Sequence, residues 1–212
     1  ALSMNLVNGF TGIFSLGHAG FMAIGAYTVA LLTIPVAKKE TIFMLEPLIA
    51  PLNTLTLPFG AALIIGGLLA AALAFLIGLP CLRLRGDYLA IATLGFSEII
   101  RIVITNAQSL TNGAQGLKSI PATANIWWCY GVALATIVFI ALLISSSYGR
   151  AFKAIREDEI AAESMGVSLL RHKMLSFMLS AFLAAVGGGL FASYIGTIAR
   201  LYYKVNYFTL MG

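Results

Sequence analysis

The side chains that could perform catalysis or bind a metal are few and scattered. The two histidines, His18 and His172, lie far apart, and neither is surrounded by other ligands at metal-binding spacing. Residues 113–119 (GAQGLKS) resemble a phosphate loop only faintly, because that loop requires Gly, four residues and then Gly-Lys-Ser/Thr. The sequence therefore predicts neither an enzyme nor a metal or cofactor site, and no ATP hydrolysis by this chain alone.

Two charged residues lie inside an otherwise apolar segment. Glu98 and Arg101 are three positions apart, so they share one face of a helix and can pair. Ionisable residues at membrane depth are energetically expensive and are usually paired or functional. Two interpretations remain open: the pair lies near the outer membrane interface, or it faces an aqueous path.

A glycine-rich segment near the N-terminus predicts an interruption of helical structure. Residues 9–20 (GFTGIFSLGHAG) hold four glycines in twelve positions, and glycine weakens a helix interior by roughly 1 kcal/mol relative to alanine. We expect a break over residues 9–17 and a helix over 18–34. Irregular backbone at membrane depth occurs where protein or a water-filled cavity surrounds it. The residues that we expect to line a translocation path are Asn8, Thr11, Ser15 and His18, together with Glu98. For His18, a structural hydrogen bond is the alternative.

The most charged stretch of the chain is residues 148–173. Phe152, Ile155, Ala162 and Met165 recur there at helical spacing, which predicts an amphipathic helix with those residues on its apolar face. Gly166 suits the end of that helix, and Ser168 can cap the next one. Such a helix could lie on lipid headgroups, but its many acidic residues oppose binding to anionic lipid and favour docking into a cytosolic partner.

The composition identifies the elements that must position these residues. Charged residues make up 10% of the 212 residues and hydrophobic ones 60%. Formal charges are absent from residues 1–37, 47–82, 119–149 and 174–199, and each run is long enough for a membrane span of about 20 residues. A soluble enzyme, a disordered chain and a disulfide-stapled secreted domain are excluded. We predict an all-α polytopic membrane protein with spans at 59–80, 89–106, 125–147 and 174–198.

The ends of the sequence suggest that the chain is a fragment of one transmembrane domain covering 1–212. Ala1 is not an initiator methionine and lies in an apolar run, and residues 207–212 (YFTLMG) resemble the start of a further membrane segment. We therefore expect additional helices after Gly212 and before Ala1.

The distribution of basic residues predicts the orientation in the membrane. Seven lie in residues 82–88 and 148–173, and five lie in the loops 35–57, 107–124 and 199–206. The positive-inside rule places the first group in the cytosol and the loops in the periplasm. Two stripes of small residues at intervals of four indicate close helix packing rather than a dedicated dimer motif. They are Ala70, Ala74 and Gly78, and Ala181, Ala185, Gly189 and Ser193.

Three segments in order along the chain resemble the permeases of branched-chain amino acid ABC importers, and the M-type subunit more than its H-type partner. They are residues 15–21 (SLGHAGF), 82–91 (LRLRGDYLAI) and 149–157 (GRAFKAIRE). The resemblance implies a type II ABC-importer-like bundle with a broken N-terminal helix in the bacterial inner membrane. The implied partners are a second permease, two cytosolic ATPase subunits, a periplasmic binding protein and membrane lipid, with no nucleic acid. The implied cargo is Leu, Ile, Val or a small amide such as urea.

The resemblance also implies a cytosolic coupling helix with the pattern Glu-Ala-Ala, three residues, Gly. Ala161, Ala162 and Gly166 hold that spacing, whereas Ile160 stands at the position of the glutamate. The residues expected to contact the ATPase are Arg150, Glu159, Ala161, Ala162, Glu163 and Gly166. The alternative function is an ion-coupled secondary transporter or a channel, for which Glu98 is the available intramembrane carboxylate.

Overall fold

A computed structural model describes residues 1–36, 39, 56–84, 86–113, 116–117, 120–121 and 123–198, without the side chains of residues 87 and 109. Within this part of the chain the fold is all-α, as predicted, and the sole β feature is an isolated bridge between Leu117 and Ile198. The helices are α1 (Leu2–Asn5), a π-helical turn (Leu6–Phe10), α2 (His18–Thr33), α3 (Phe59–Cys81), α4 (Asp87–Asn106), α5 (Gln108–Thr111), α6 (Ile126–Ser145), α7 (Ser147–Glu157), α8 (Glu159–Ser164) and α9 (Leu169–Ile195).

Four of the described helices are long and apolar enough to cross a membrane: α3, α4 from Tyr88 onward, α6 and α9. Each agrees with one of the four predicted spans, including 89–106, which holds Glu98 and Arg101. The shorter helix α2 also begins and ends where the glycine pattern and Pro35 indicated. The shortest predicted span, 89–106, is a continuous helix of 20 residues, which at 1.5 Å per residue is about 30 Å long, as a crossing requires.

Helix α2 lies at the centre of the bundle, packed against α9 and α3. Apolar residues surround its whole circumference, as expected for a helix covered on every side. Both predicted stripes of small residues are buried in these contacts. Helices α2 and α9 approach each other so closely that a Cβ added to Gly25 would lie 2.0 Å from the carbonyl oxygen of Ala185.

The helix connections cluster at two ends of the bundle. At one end, Cys81 and Leu82 pack near the start of α9 at Met174, and Phe152 of α7 makes an edge contact with His172. At the other end, the Leu57 amide donates to the Leu32 carbonyl oxygen. Residues 81–84 and 147–173 therefore share one end, which is the arrangement that the even alternation of spans requires.

The amphipathic segment 148–165 is not the single helix that its periodicity indicated. It divides into α7 and α8 at Asp158, whose backbone is extended. Phe152, Ile155 and Ala162 are buried as expected, but Met165 is 84% exposed. The placement of Met165 on the apolar face was therefore wrong, because the extended residue 158 changes the helical phase between the two halves.

Candidate functional site: the N-terminal hairpin and the coupling segment

The glycine-rich break is a reversal of the chain direction, which we call the N-terminal hairpin (residues 1–17). Ser180 of α9 donates through its hydroxyl to the carbonyl oxygen of Ser3 at 2.6 Å, and the same hydroxyl contacts Nε2 of His18 at 2.5 Å. Ser3 and His18 therefore lie at one level along α9. Thr11, between them in sequence, lies one turn nearer the start of α9, with its hydroxyl 2.7 Å from that of Ser176. The chain thus runs toward the start of α9, turns and returns as α2.

The π-helical turn leaves backbone oxygens that side chains satisfy. The Leu6 carbonyl oxygen accepts hydrogen bonds from the hydroxyls of Thr11 at 3.1 Å and Ser176 at 3.5 Å. The Val7 carbonyl oxygen accepts from the Ile13 amide at 3.1 Å. Single π turns are rare in proteins, and those that occur are often found at functional sites. Here the turn places polar backbone against α9 inside the bundle.

Three of the five residues predicted to line a path, Asn8, Thr11 and Ser15, lie in this hairpin, and His18 follows it as the first residue of α2. The Asn8 side-chain oxygen accepts from the Ser15 amide at 3.2 Å. Thr11, Ser15 and His18 are buried. Among the described residues, Nδ1 of His18 is buried and has no hydrogen-bond partner. His18 therefore makes the structural hydrogen bond that was one of its two interpretations, while one ring nitrogen stays unsatisfied.

A cavity of about 430 Å³ adjoins the hairpin, between α6 and α9. Ser15, His18 and Thr136 contribute polar groups to its wall. The rest is mainly apolar, including Met22 of α2 and Leu183 of α9. The cavity is large enough for a small molecule the size of an amino acid, and part of the hairpin forms its rim.

Glu98 lies away from this cavity, on α4. Its carboxylate pairs with the Arg101 guanidinium, and the two side chains are 44% and 37% exposed. An exposed ion pair in the middle of a membrane-crossing helix is expensive against lipid. The structure thus shows the ion pair that the spacing predicted, on a partly exposed face of α4.

Helix α7 packs one face on the bundle. Gly149, Phe152 and Ile155 are buried on that face. Arg150 points away, and its guanidinium donates to the Ser147 hydroxyl at 3.1 Å. This arrangement holds α7 at the end of the bundle where residues 81–84 also lie.

Helix α8 is short but firmly anchored at its start. The Asp158 carboxylate accepts from the amides of Ile160 at 2.8 Å and Ala161 at 3.1 Å, which is an N-cap. The Glu159 carboxylate pairs with the nearly buried Lys173 ammonium at 2.6 Å. Ala162 is buried against the bundle. The roles of Asp158 and Lys173 were not predicted from the sequence, although an aspartate at the start of a helix is itself a capping signal.

The exposed side of α8 carries apolar residues. Ile160 is 75% exposed and Met165 is 84% exposed, and Glu163 lies on the same outward side. Gly166 ends the helix with φ +86°, and its amide donates to the Glu163 carbonyl oxygen at 3.0 Å. Ser168 occupies the N-cap position of α9, as predicted, but its side chain makes no capping hydrogen bond. The six predicted coupling residues therefore divide into anchoring and outward-facing ones, with Ile160 and Met165 added to the second group.

Replacing Ser180 with alanine should destabilise the protein because the Ser3 carbonyl oxygen and His18 both lose a buried partner. We expect a loss of about 1–2 kcal/mol in the free energy of unfolding, measured by denaturation of the full-length protein in detergent micelles. Ser193→Ala is the matched control: Ser193 is also buried on α9, and its hydroxyl has no hydrogen-bond partner among the described residues. Equal losses in the two variants would contradict the role of Ser180.

Comparison with known proteins places the chain among transport proteins. Residues 1–211 match the family model for the permease component of the branched-chain amino acid transport system. The high-affinity branched-chain amino acid transport system permease protein LivM of Escherichia coli is 38% identical over 93% of this chain and 50% of its own length. The guanosine ABC transporter permease protein NupQ of Bacillus subtilis is 26% identical over 87% of this chain and 60% of its own length. The chain spans about half the length of the LivM relative, and no solved structure matches it.

Proposed function

The chain belongs to the family of branched-chain amino acid transport permeases, and we propose that it forms part of the membrane subunit of an ATP-driven importer. The observation that carries the proposal is α8, a capped and anchored helix that presents exposed apolar side chains at one end of an otherwise membrane-like bundle. An exposed apolar patch on a rigid support is typical of a protein–protein contact. ATP hydrolysis would then take place on separate subunits.

The coupling segment, residues 148–173, would contact the ATPase through the outward side of α8. Ile160, Glu163 and Met165 would enter the partner's groove, and Gly166 would let the chain turn away. Glu159 and Ala162 would hold α8 in position for that contact, because Glu159 pairs with Lys173 and Ala162 packs on the bundle. Ala161 lies in the exposed first turn of α8, and Arg150 lies on the exposed side of α7 near the same end. Ala161 and Arg150 would therefore also contact the ATPase.

The translocation path would pass the N-terminal hairpin. Asn8, Thr11, Ser15 and His18 supply polar groups inside an apolar bundle, and two of them reach the cavity beside α6. Glu98 would face the same path from α4 once a second permease covers that helix, because its ion pair needs water or protein around it.

The proposed cargo is Leu, Ile or Val, or a small amide such as urea. The support for the amino acids comes from the matching family and from the LivM relative, both described by branched-chain amino acid transport. The proposed assembly has a second homologous permease, two cytosolic ATPase subunits and a periplasmic binding protein. The chain would lie in a bacterial inner membrane, with segments 82–88 and 148–173 facing the cytosol.

Reconstitution of the full-length subunit with these partners in proteoliposomes tests the proposal. We expect uptake of radiolabelled leucine that requires ATP and the binding protein, and no uptake when ATP is replaced by a proton or sodium gradient. Transport driven by an ion gradient without ATPase subunits would instead establish the ion-coupled alternative. The matched control is a complex whose ATPase subunits cannot hydrolyse ATP.

A further inference from the structure

The last turn of α7 touches the tip of the N-terminal hairpin, although the two are 147 positions apart in sequence. Nη1 of Arg156 donates a hydrogen bond to the Gly9 carbonyl oxygen at 3.1 Å. The same guanidinium contacts the Glu157 carboxylate, at 2.6 Å from Nη2 and 3.2 Å from Nε. A planar guanidinium can make both sets of bonds at once, whereas a lysine ammonium is a point charge on a flexible stem. Arg156 is therefore held in one orientation by both neighbours.

Gly12 brings the backbones of the two elements into direct contact. A Cβ added to Gly12 would lie 2.9 Å from Cγ and 3.2 Å from Cα of Arg156, and its φ of +72° disfavours other residues. No side chain on the hairpin separates its tip from α7 at this point. A displacement of the end of α7 is therefore passed to the hairpin with little room for compensation.

The same end of α7 is joined to α8 by a single residue. Asp158 connects the two helices and caps α8 with its carboxylate. On its other side, the hairpin is held to α9 by the hydrogen bond between Thr11 and Ser176. The hairpin thus lies between α9 and α7, and the end of α7 carries the outward-facing α8.

We propose that the contact of Arg156 with Gly9 and Gly12 is the joint through which movement of α8 shifts the N-terminal hairpin, with Arg156 as its positioning residue. The inference rests on the proposed function, since it assumes that ATPase subunits move α8. When they do, Asp158 draws the end of α7 with α8, and Arg156 carries Gly9 and Gly12 along. The hairpin then moves against Ser176 and Ser180, which changes the access of Ser15 and His18 to the cavity.

The test follows a single cysteine at Ser15 in the full-length complex. Native cysteines, including Cys81 and Cys129, are replaced by alanine, and the rate of reaction with a water-soluble maleimide is compared without nucleotide and with ATP plus vanadate. In the parent we expect at least about a threefold difference between the states. Arg156→Ala should bring that ratio close to one and lower the number of substrates transported per ATP hydrolysed about tenfold.

Two further variants separate a positioning role from a general structural one. Arg156→Lys retains a donor and should restore part of the labelling ratio. Lys153→Ala removes an exposed charge from the same helix, one turn earlier, and should leave both readouts at the parent values. If Arg156→Ala does not assemble, Arg156→Gln replaces it, because glutamine keeps much of the stem without the guanidinium.

The outcomes distinguish this inference from the proposed function. Parent values of labelling ratio and transport per ATP in Arg156→Ala would overturn the joint while leaving the importer intact. A parent that shows no state-dependent labelling would refute the path assignment of the hairpin. The transport-to-ATP ratio then decides alone: a decrease in Arg156→Ala supports the joint, and an unchanged ratio overturns it. A complex that does not transport with ATP at all refutes the proposed function and, with it, the joint.

Discussion

Gly188→Ala should prevent the two central helices from packing, and we expect it to cost more than about 3 kcal/mol of folding free energy. The added Cβ would lie 1.9 Å from the Met22 carbonyl oxygen, which is backbone that cannot turn aside. Gly25→Ala should act equally strongly from the other helix, at 2.0 Å from the Ala185 carbonyl oxygen. Either substitution forces α2 and α9 apart. The hydrogen bonds of His18 and Thr11 to α9 should then be lost.

The matched control lies one position away. Gly187 is exposed on the same helix, and a Cβ there would meet nothing within 4 Å. Alanine favours helix by about 1 kcal/mol relative to glycine, so Gly187→Ala should be neutral or stabilising. The measurement is the melting temperature of the full-length protein in detergent, with the monodisperse yield by size-exclusion chromatography. Similar values for Gly187→Ala and Gly188→Ala would refute the close approach of α2 and α9.

These glycines show why part of the fold could be predicted from the sequence. Stripes of small residues such as Ala181, Ala185 and Gly189 predict that a helix is approached closely, because only small side chains allow it. The same pattern cannot show which helix approaches. That the partner is α2, through Gly25, depends on the packing of the whole bundle.

The hairpin shows a different limit. Glycines at 9, 12 and 17 predicted an interruption, and α2 begins where expected. A kinked helix and a reversed chain have the same local signature, however, because both need residues with little helix propensity. The reversal is determined by Ser176 and Ser180, which lie more than 160 positions away and pair with Thr11 and His18. Single-sequence patterns do not report such pairs.

The prediction for the coupling segment was wrong at one residue, Met165. Helical periodicity over 152–165 treated the segment as continuous, so Met165 was placed with Phe152 on the buried face. Asp158 prefers to cap a helix rather than continue one, since its carboxylate competes for backbone amides. The restart at Glu159 shifts the phase and turns Met165 outward, which makes it a candidate contact residue.

Met165→Glu should weaken the contact with the ATPase subunits while leaving the bundle intact. The Met165 side chain is largely exposed in this chain, so the substitution removes almost no internal packing. Burying a methionine in a partner's groove is worth about 1.5–3 kcal/mol, and a carboxylate in the same place adds a desolvation penalty. Because 1.4 kcal/mol corresponds to a factor of ten in affinity, we expect at least about a tenfold weaker association with the ATPase subunits.

Glu163→Lys and Gly166→Leu should give the same result by other routes. The first reverses a charge on the outward side of α8, and the second places a side chain where φ is +86°. Residues other than glycine pay about 1–2 kcal/mol in that conformation, so the end of α8 should rearrange. In both variants, leucine uptake should fall about tenfold or more while the amount of inserted protein stays at the parent value.

The control for these three variants is Met165→Leu, which keeps an apolar side chain of similar volume on the same spot and should retain uptake within about twofold. The measurements are co-purification of ATPase subunits with a tagged permease, substrate-stimulated ATP hydrolysis and ATP-dependent leucine uptake in proteoliposomes. Parent levels of all three in both Met165→Glu and Glu163→Lys would show that α8 does not contact the ATPase. The Arg156 joint would then have no moving element to transmit from, so the role of α7 would have to be sought in holding the hairpin in place. Loss of co-purification in Met165→Glu, with retention in Met165→Leu, would instead assign the contact to the apolar outward side of α8, since leucine keeps that position apolar and glutamate places a charge there.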